Sequence, residues 1–264
     1  LERRLLLLSD LPGVVARSTL TPGTAVGTSD LRIVLTPGRR VTGSLEADNA
    51  GNRYTGRYRG GGTINFNEPL GQGDVASLRF LTAGSGLTYL RGAYEARIQN
   101  ATVGVSYAHL WYELGREFSA LDASGSTGVA SLYASYPLIR SYDTNLYLLG
   151  AVSAKEFEDK VGATGSVAER SARVASLGIA GDHHDRLWGD GWNTYVVNVG
   201  LGDLDIETPV VRAADALTAR TNGSYRTLIF QAARLQEFGG PVSLYGQVRG
   251  QLASKNLDSS EKMQ

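Results

Sequence analysis

Cysteine is absent from this chain of 264 residues, methionine occurs once, and the formal charges balance to zero. Without thiols there is no disulfide framework, no thiolate metal site and no cysteine nucleophile. The neutral balance removes the general electrostatic argument for a nucleic-acid partner, and none is expected. No stretch comes near the roughly 18 consecutive apolar residues of a membrane-crossing helix. That says nothing about transmembrane β-barrels, whose strands alternate over about ten residues each. The opening "LERRLLLLSDLPGV" has neither a methionine start nor a cleavage site, and "NLDSSEKMQ" has no stop-like character, so the chain is expected to be a piece of a longer protein.

What is present is 42% hydrophobic residues, 33 glycines and 13 tyrosines, a folded rather than disordered composition. Leucines at positions 1, 5, 6, 7 and 8 read as the end of a helix, stopped by Pro12-Gly13. Val14 to Leu20 and Asp30 to Leu35 alternate as strands around the turn-rich "TPGTAVGTS". A helix end and two strands make a small α+β unit, expected to occupy residues 1–37, with a second region over 38–264. From Val41 the helical period disappears. About eleven alternating runs follow, starting near Val41, Tyr54, Asp74, Leu87, Ala101, Gly125, Asn145, Arg170, Gly191, Gly223 and Pro241. No fixed-period repeat supports a propeller or solenoid.

The runs separate by parity. In Tyr54 to Asn67, Tyr54, Gly56, Tyr58, Gly60, Gly62, Ile64 and Phe66 oppose Thr55, Arg57, Arg59, Gly61, Thr63, Asn65 and Asn67. Val242, Leu244, Gly246, Val248, Gly250 and Leu252 likewise oppose Ser243, Tyr245, Gln247, Arg249 and Gln251, and Tyr195, Val197, Val199 and Leu201 oppose Thr194, Val196, Asn198 and Gly200. A soluble sandwich also alternates, but its strands usually run about 5 or 6 residues, and these run about 10 to 14. Tilted near 40°, such strands cross the ~25 Å apolar band of an outer membrane. The expectation is a mainly β protein, an antiparallel transmembrane barrel with arginines on its wet side.

Other chemistry finds little support. Gly60 to Gly62 lies in a strand pattern with no following helix and no Lys-Ser or Lys-Thr, which argues against a phosphate loop. In "GDHHDRLWGDGWN", His183 and His184 point to opposite sides of an extended chain and cannot easily share a metal. A polar turn is the plainer reading, with Trp188 and Trp192 near a membrane interface. His109 within "VSYAHLWYEL" reads as a wall residue, and no G-x-S-x-G elbow exposes a serine. Glu156 and Glu158 read as solvated rim charges. No metal, no cofactor and no catalytic residue is expected.

Longer segments carry a resemblance. "LLLLSDLPGV", "TSDLRIVLTPGRRVTGSLEADNAGNRYTG", "INFNEPLGQGD", "ASLYASYPLIRS" and "SLYGQVRGQLASKNLDSSEKMQ" resemble the TpsB transporters of two-partner secretion, the haemolysin secretion/activation and filamentous-haemagglutinin transporter family. The resemblance implies that residues 1–37 are the C-terminal part of the second of two periplasmic POTRA domains and that 38–264 hold about the first 11 of 16 barrel strands. An inward-folded loop with a V-R-G-Y/F motif would follow. It implies a bacterial outer-membrane location and a secreted, unfolded TpsA-type passenger protein of the adhesin or haemolysin type as partner, with membrane lipid around the wall.

On that reading the pore is expected to be lined by Arg57, Arg59, Asn65, Arg79, Arg91, Gln247 and Arg249. The edge strand Arg17, Ser18, Thr19 and Leu20 is expected to take the passenger by β-augmentation. The rivals are a barrel-assembly insertase of the same superfamily, an outer-membrane barrel enzyme using His109, and a soluble β-sandwich binding module.

Overall fold

The computed structural model describes residues 1–84 and 86–263. Helix α1 (Glu2–Ser9) leads through Leu11, Pro12 and Gly13 into a two-stranded hairpin, β1 (Val14–Pro22) and β2 (Ser29–Pro37). Gly13 has φ +70, a left-handed turn that few side chains tolerate, and its carbonyl accepts from the Gly38 amide at 2.6 Å. That bond closes the hairpin base just before the chain enters the larger sheet.

Eleven antiparallel strands then follow in sequence order: β3 (Val41–Asp48), β4 (Arg59–Asn67), β5 (Val75–Thr82), β6 (Leu87–Ile98), β7 (Ala101–Glu113) and β8 (Ala123–Arg140). They continue with β9 (Thr144–Val161), β10 (Ser166–Asp185), β11 (Asp190–Ile206), β12 (Gly223–Glu237) and β13 (Ser243–Ala253). Helix α2 (Pro209–Leu217) interrupts the β11–β12 connection. Each strand pairs only with its sequence neighbours, so the sheet is an unbroken meander with β3 and β13 as its edges among the described residues. Strands β3 to β5 have 8 or 9 residues, while β8 to β11 have 17 to 20. Among the described residues the one register shift, between Pro137 and Ile139, falls where proline has no N–H to give to the ladder.

The expected boundary of the second run moves. The run from Tyr54 shortens, because Tyr54 to Tyr58 form a turn and β4 begins at Arg59. Gly56 at φ +118 breaks the extended backbone, and the Tyr54 carbonyl accepts from the Gly115 amide of a neighbouring connection at 2.9 Å. Arg57 therefore sits at the end of the wall rather than in it.

No second layer covers the sheet among the described residues. Among the described residues the buried hydrophobics are Ala123, Ala172, Leu204, Ile206, Tyr225 and Leu257, far fewer than a soluble domain of this length would enclose. Leu177, Val199 and Leu252 are 61%, 50% and 62% exposed. A sandwich would have covered them, so that rival fails on architecture.

Candidate functional site: the polar face of the wall

Strand registry fixes which side chains share a face, because directly paired residues point the same way. Followed from strand to strand, the pairing puts Glu46, Asp48, Arg59, Asn65, Arg79 and Arg91 on one face with Glu95, Tyr133, Lys155, Arg170, Gln247 and Arg249. The opposite face carries a band: Leu148 and Val152 on β9, Leu177 on β10, Val199 and Leu201 on β11, Leu228 and Phe230 on β12. Polar side chains bound that band on both sides. Glu156, Arg173, Asp203 and Arg226 lie towards the α2 end, and Asp185, Asn193 and Arg234 towards the α1 end, where Asp185 pairs with Arg234 at 2.7 Å. The apolar run Leu146 to Ala154 on β9 measures about 23 Å along the membrane normal at a 40° tilt. Tyr107 and Trp111 flank the band at one edge, Tyr136 and Tyr195 at the other.

The polar face is a network of paired charges rather than a row of bare cations. Arg59 meets Asp48 across the β3–β4 pair at 2.9 Å, and Arg79 reaches over β4 to Glu46 at 2.7 Å. The registry explains the reach: Arg79 stands directly opposite Arg91, and like charges so placed repel, while Gly61, the partner of Glu46, leaves the way open. Tyr133 donates to Glu95 at 2.8 Å, and Tyr112 donates to Asp159, which also pairs with Arg170. The carboxylates were legible. "VTGSLEAD" puts Thr42, Ser44, Glu46 and Asp48 on alternate positions, a row that attention to the arginines passed over.

After β13 the chain turns onto this face. Lys255 donates to the Asn222 carbonyl at 2.6 Å and Asn256 to that of Ala219 at 2.9 Å, tying the segment to the loop after α2. Asp215 supports that loop by accepting from the Thr221 and Asn222 amides, both at 3.0 Å. Desolvation pushes its carboxyl up, but those bonds outweigh it and hold the group below the ordinary carboxylate range. Leu257 then buries itself with Ala172, Leu204, Ile206 and Tyr225, worth about 1.5–3 kcal/mol. Beyond it Asp258 pairs with Arg170 at 2.7 Å and Glu261 with Lys155 at 2.7 Å. Gln251 holds both the Glu261 carbonyl and the Met263 amide at 2.8 Å. The segment Lys255 to Met263 thus lies clasped across β9, β10 and β13. Sequence reading gave no sign of it, since "KNLDSSEKM" has no period to follow.

At the other end α1 docks on the rim. Arg140 makes two bonds to Asp10, at 2.9 and 2.8 Å, and a third to Asn145 at 2.8 Å. Arg97 donates to the Leu7 carbonyl at 3.0 Å and Arg3 to that of Pro137 at 2.7 Å. Arg17, Ser18, Thr19 and Leu20 lie on β1, paired with Val34 to Leu31 of β2, and the second edge of β1 has no strand partner among the described residues.

The histidines fall on different faces. His183 shares a hydrogen bond with Thr144 at 2.8 Å on the banded face, while His184 lies on the polar face, 3.9 Å from both Asp143 and Asp190. Trp192 pairs with His184 on the polar face, and Trp188 is in the adjoining turn. His109 is on the banded face, stacked on Trp111 at 4.1 Å and bonded to Tyr107 at 3.0 Å.

A single antiparallel meander with charged groups on one face and a membrane-high apolar band on the other defines the class: the wall of a transmembrane β-barrel. Residues 27–264 match the family of haemolysin secretion/activation proteins ShlB/FhaC/HecB, and the chain belongs to that family. It is 27% identical over 266 residues to the heme/hemopexin transporter protein HuxB of Haemophilus influenzae (strain 86-028NP), covering 100% of this chain and 47% of that protein. Identity to the outer membrane transporter CdiB of Dickeya dadantii (strain 3937) is 21% over 276 residues, covering 100% and 48%. CdiB from Escherichia coli has the same fold, with a TM-score of 0.75 at 18% identity over 95% of this chain and 47% of that one. The chain spans about half the length of the relatives it matches.

Proposed function

We propose that this chain forms the first part of an outer-membrane pore that exports an unfolded secreted partner protein, as in two-partner secretion. The observation that carries the reading is the charge-paired polar face set against an apolar band of membrane height, in a chain of the haemolysin secretion/activation family. The relatives named above are transporters. Residues 1–37 are the end of a periplasmic POTRA domain, the α1 rim faces the periplasm, and the α2 end faces outward. The remaining strands of a barrel of about 16 would come from the rest of the protein.

In this mechanism the passenger is met at the hairpin, where Arg17, Ser18, Thr19 and Leu20 offer an unpaired strand edge. It then moves past Arg59, Asn65, Arg79, Arg91, Gln247 and Arg249, with Arg57 at the outer mouth. A lining of closely paired charges suits passage. The groups satisfy one another, hold water, and present neither a large apolar patch nor an uncompensated charge to which an extended chain would stick. No step needs a cofactor or covalent chemistry, and folding outside supplies the drive.

The test is secretion by the full-length protein co-expressed with its passenger. Passenger in the medium is expected, and Ser18→Pro should lower it severalfold while the barrel still assembles, because proline removes the strand's amide donor. Undiminished secretion by that variant would remove β1 from the mechanism; no export by the wild type would remove the function.

A further inference from the structure

The banded face is not flat. A hollow of about 740 Å³ opens between Leu132, Gly150, Val152, Ala175, Leu177 and Val199. It joins a second of about 790 Å³ through Val152, Ala175 and Leu201, which line both. Small residues make the depth: a Cβ added at Gly150 would meet nothing within 4 Å. Towards the α2 end the apolar lining gives way to Arg173 and Arg226, with Asp203 and Ser224 between them.

We propose that this groove holds a phosphate-bearing, multiply acylated membrane lipid, its acyl chains along the apolar hollows and a phosphate between Arg173 and Arg226. The proposal rests on the membrane reading above, in which the banded face meets lipid. Three observations carry it.

The first is height. Arg226 stands opposite Leu201, the last apolar residue of its strand's band, and Arg173 stands opposite Asp203, one step beyond. Headgroup phosphates begin at that level, and an ion pair there lies next to hydrocarbon, where attraction is screened less than in bulk water.

The second is availability. Both arginines are exposed, and neither guanidinium has an ion-pair or hydrogen-bond partner among the described residues, whereas Arg140, Arg170, Arg212 and Arg234 are all held by carboxylates. Asp203 is engaged by the Ser224 hydroxyl at 2.6 Å, and Glu156 stands diagonally across from Arg173 on β9, so the positive charge is local to the two guanidiniums rather than a net charge of that end. Guanidinium forks match phosphate oxygens in pairs, and a free phosphate would gain nothing from the apolar floor beneath them.

The third is continuity. Two joined hollows side by side accept more than one chain, with the charges at one end only, which fixes the lipid's direction.

The full-length protein in nonionic detergent should bind bisphosphorylated, hexa-acylated lipid A, read as a mass shift by native mass spectrometry. Arg173→Gln with Arg226→Gln should weaken binding roughly tenfold or more, and the dephosphorylated lipid should bind the wild type as weakly. Arg186→Gln, in a turn at the opposite rim, should leave binding unchanged. Equal binding by the double variant, equal binding of the dephosphorylated lipid, or displacement by inorganic phosphate at comparable concentration would each overturn the site. A wild-type protein that folds without detergent or lipid would instead overturn the membrane reading beneath it.

Discussion

Tyr225 covers Gly202, its direct partner on β11: a Cβ on that glycine would lie 2.1 Å from the ring. The same pairing recurs at Tyr133 over Gly104 and Tyr112 over Gly125 on the polar face, and at Phe230 over Gly250 and Tyr195 over Gly181 on the banded face. In each case the ring fills the space that the missing side chain leaves and shields the backbone there, which lets a curved sheet keep its ladder. Gly202→Ala should cost about 1–3 kcal/mol, because the ring has to leave its seat in the Leu257 cluster. The full-length variant would show this as a lower temperature for losing its compact, fast-migrating gel form. Adding Tyr225→Leu should recover part of the loss, giving a double variant less destabilised than the sum. Abundant glycine and tyrosine are visible in the sequence, but their partnership is not. It depends on registry between residues 13 to 29 positions apart on neighbouring strands, which alternation within one strand cannot supply.

Turns hold the strands in place, and the one between β4 and β5 is built on Asp74. Its carboxylate is fully buried and accepts from the Leu70 amide at 3.1 Å, the Gln72 amide at 3.0 Å and the Tyr94 hydroxyl at 2.9 Å. Desolvation raises its pKa, but the three donors outweigh that and hold it below 3.8. A depressed folded pKa means that the carboxylate stabilises the turn fully above the unfolded value and loses that contribution as pH falls through the folded one. Hydrogen exchange at Leu70 and Gln72 should therefore stay slow down to about pH 4 and accelerate only below it. Asp74→Asn should show fast exchange at neutral pH.

At this scale most of the fold is legible. The runs expected at Val41, Leu87, Ala101 and Gly223 start where β3, β6, β7 and β12 start. The misses have two causes. β10 begins at Ser166 rather than Arg170 because pairing with β9 carries the strand above the apolar band, where hydropathy no longer alternates. Tyr54 to Tyr58 alternate in sequence without being extended, since a turn at Gly56 decides the backbone there.

Part of the wall's polar face is crossed by its own chain. Lys255 to Met263 cross the polar face under two carboxylate clasps, with Asp258 held below the ordinary carboxylate range: burial raises it, and the Ser260 donors and Arg170 outweigh that. Lys155→Ala with Arg170→Ala should loosen the segment and raise single-channel conductance of the full-length protein in a planar bilayer. Unchanged conductance would show that the segment does not limit the passage. The antiparallel meander is legible in the succession of alternating runs, but helix α2 is not: the sequence shows no helical period after Val41, and nine helical residues in the β11–β12 connection are too few to display one. The crossing segment is not legible either, because its anchors are single charges on distant strands.

The unequal strand lengths give the mouth of the wall a bevel. Between β3 at 8 residues and β10 at 20 the difference amounts to about 30 Å of height at a 40° tilt. If the protein exports a chain as proposed, that chain clears one lip while still leaning on the other, as liquid does at a spout. Its first folded turns would then form on the low side, beside β3 to β5, with the tall flank behind them as a screen.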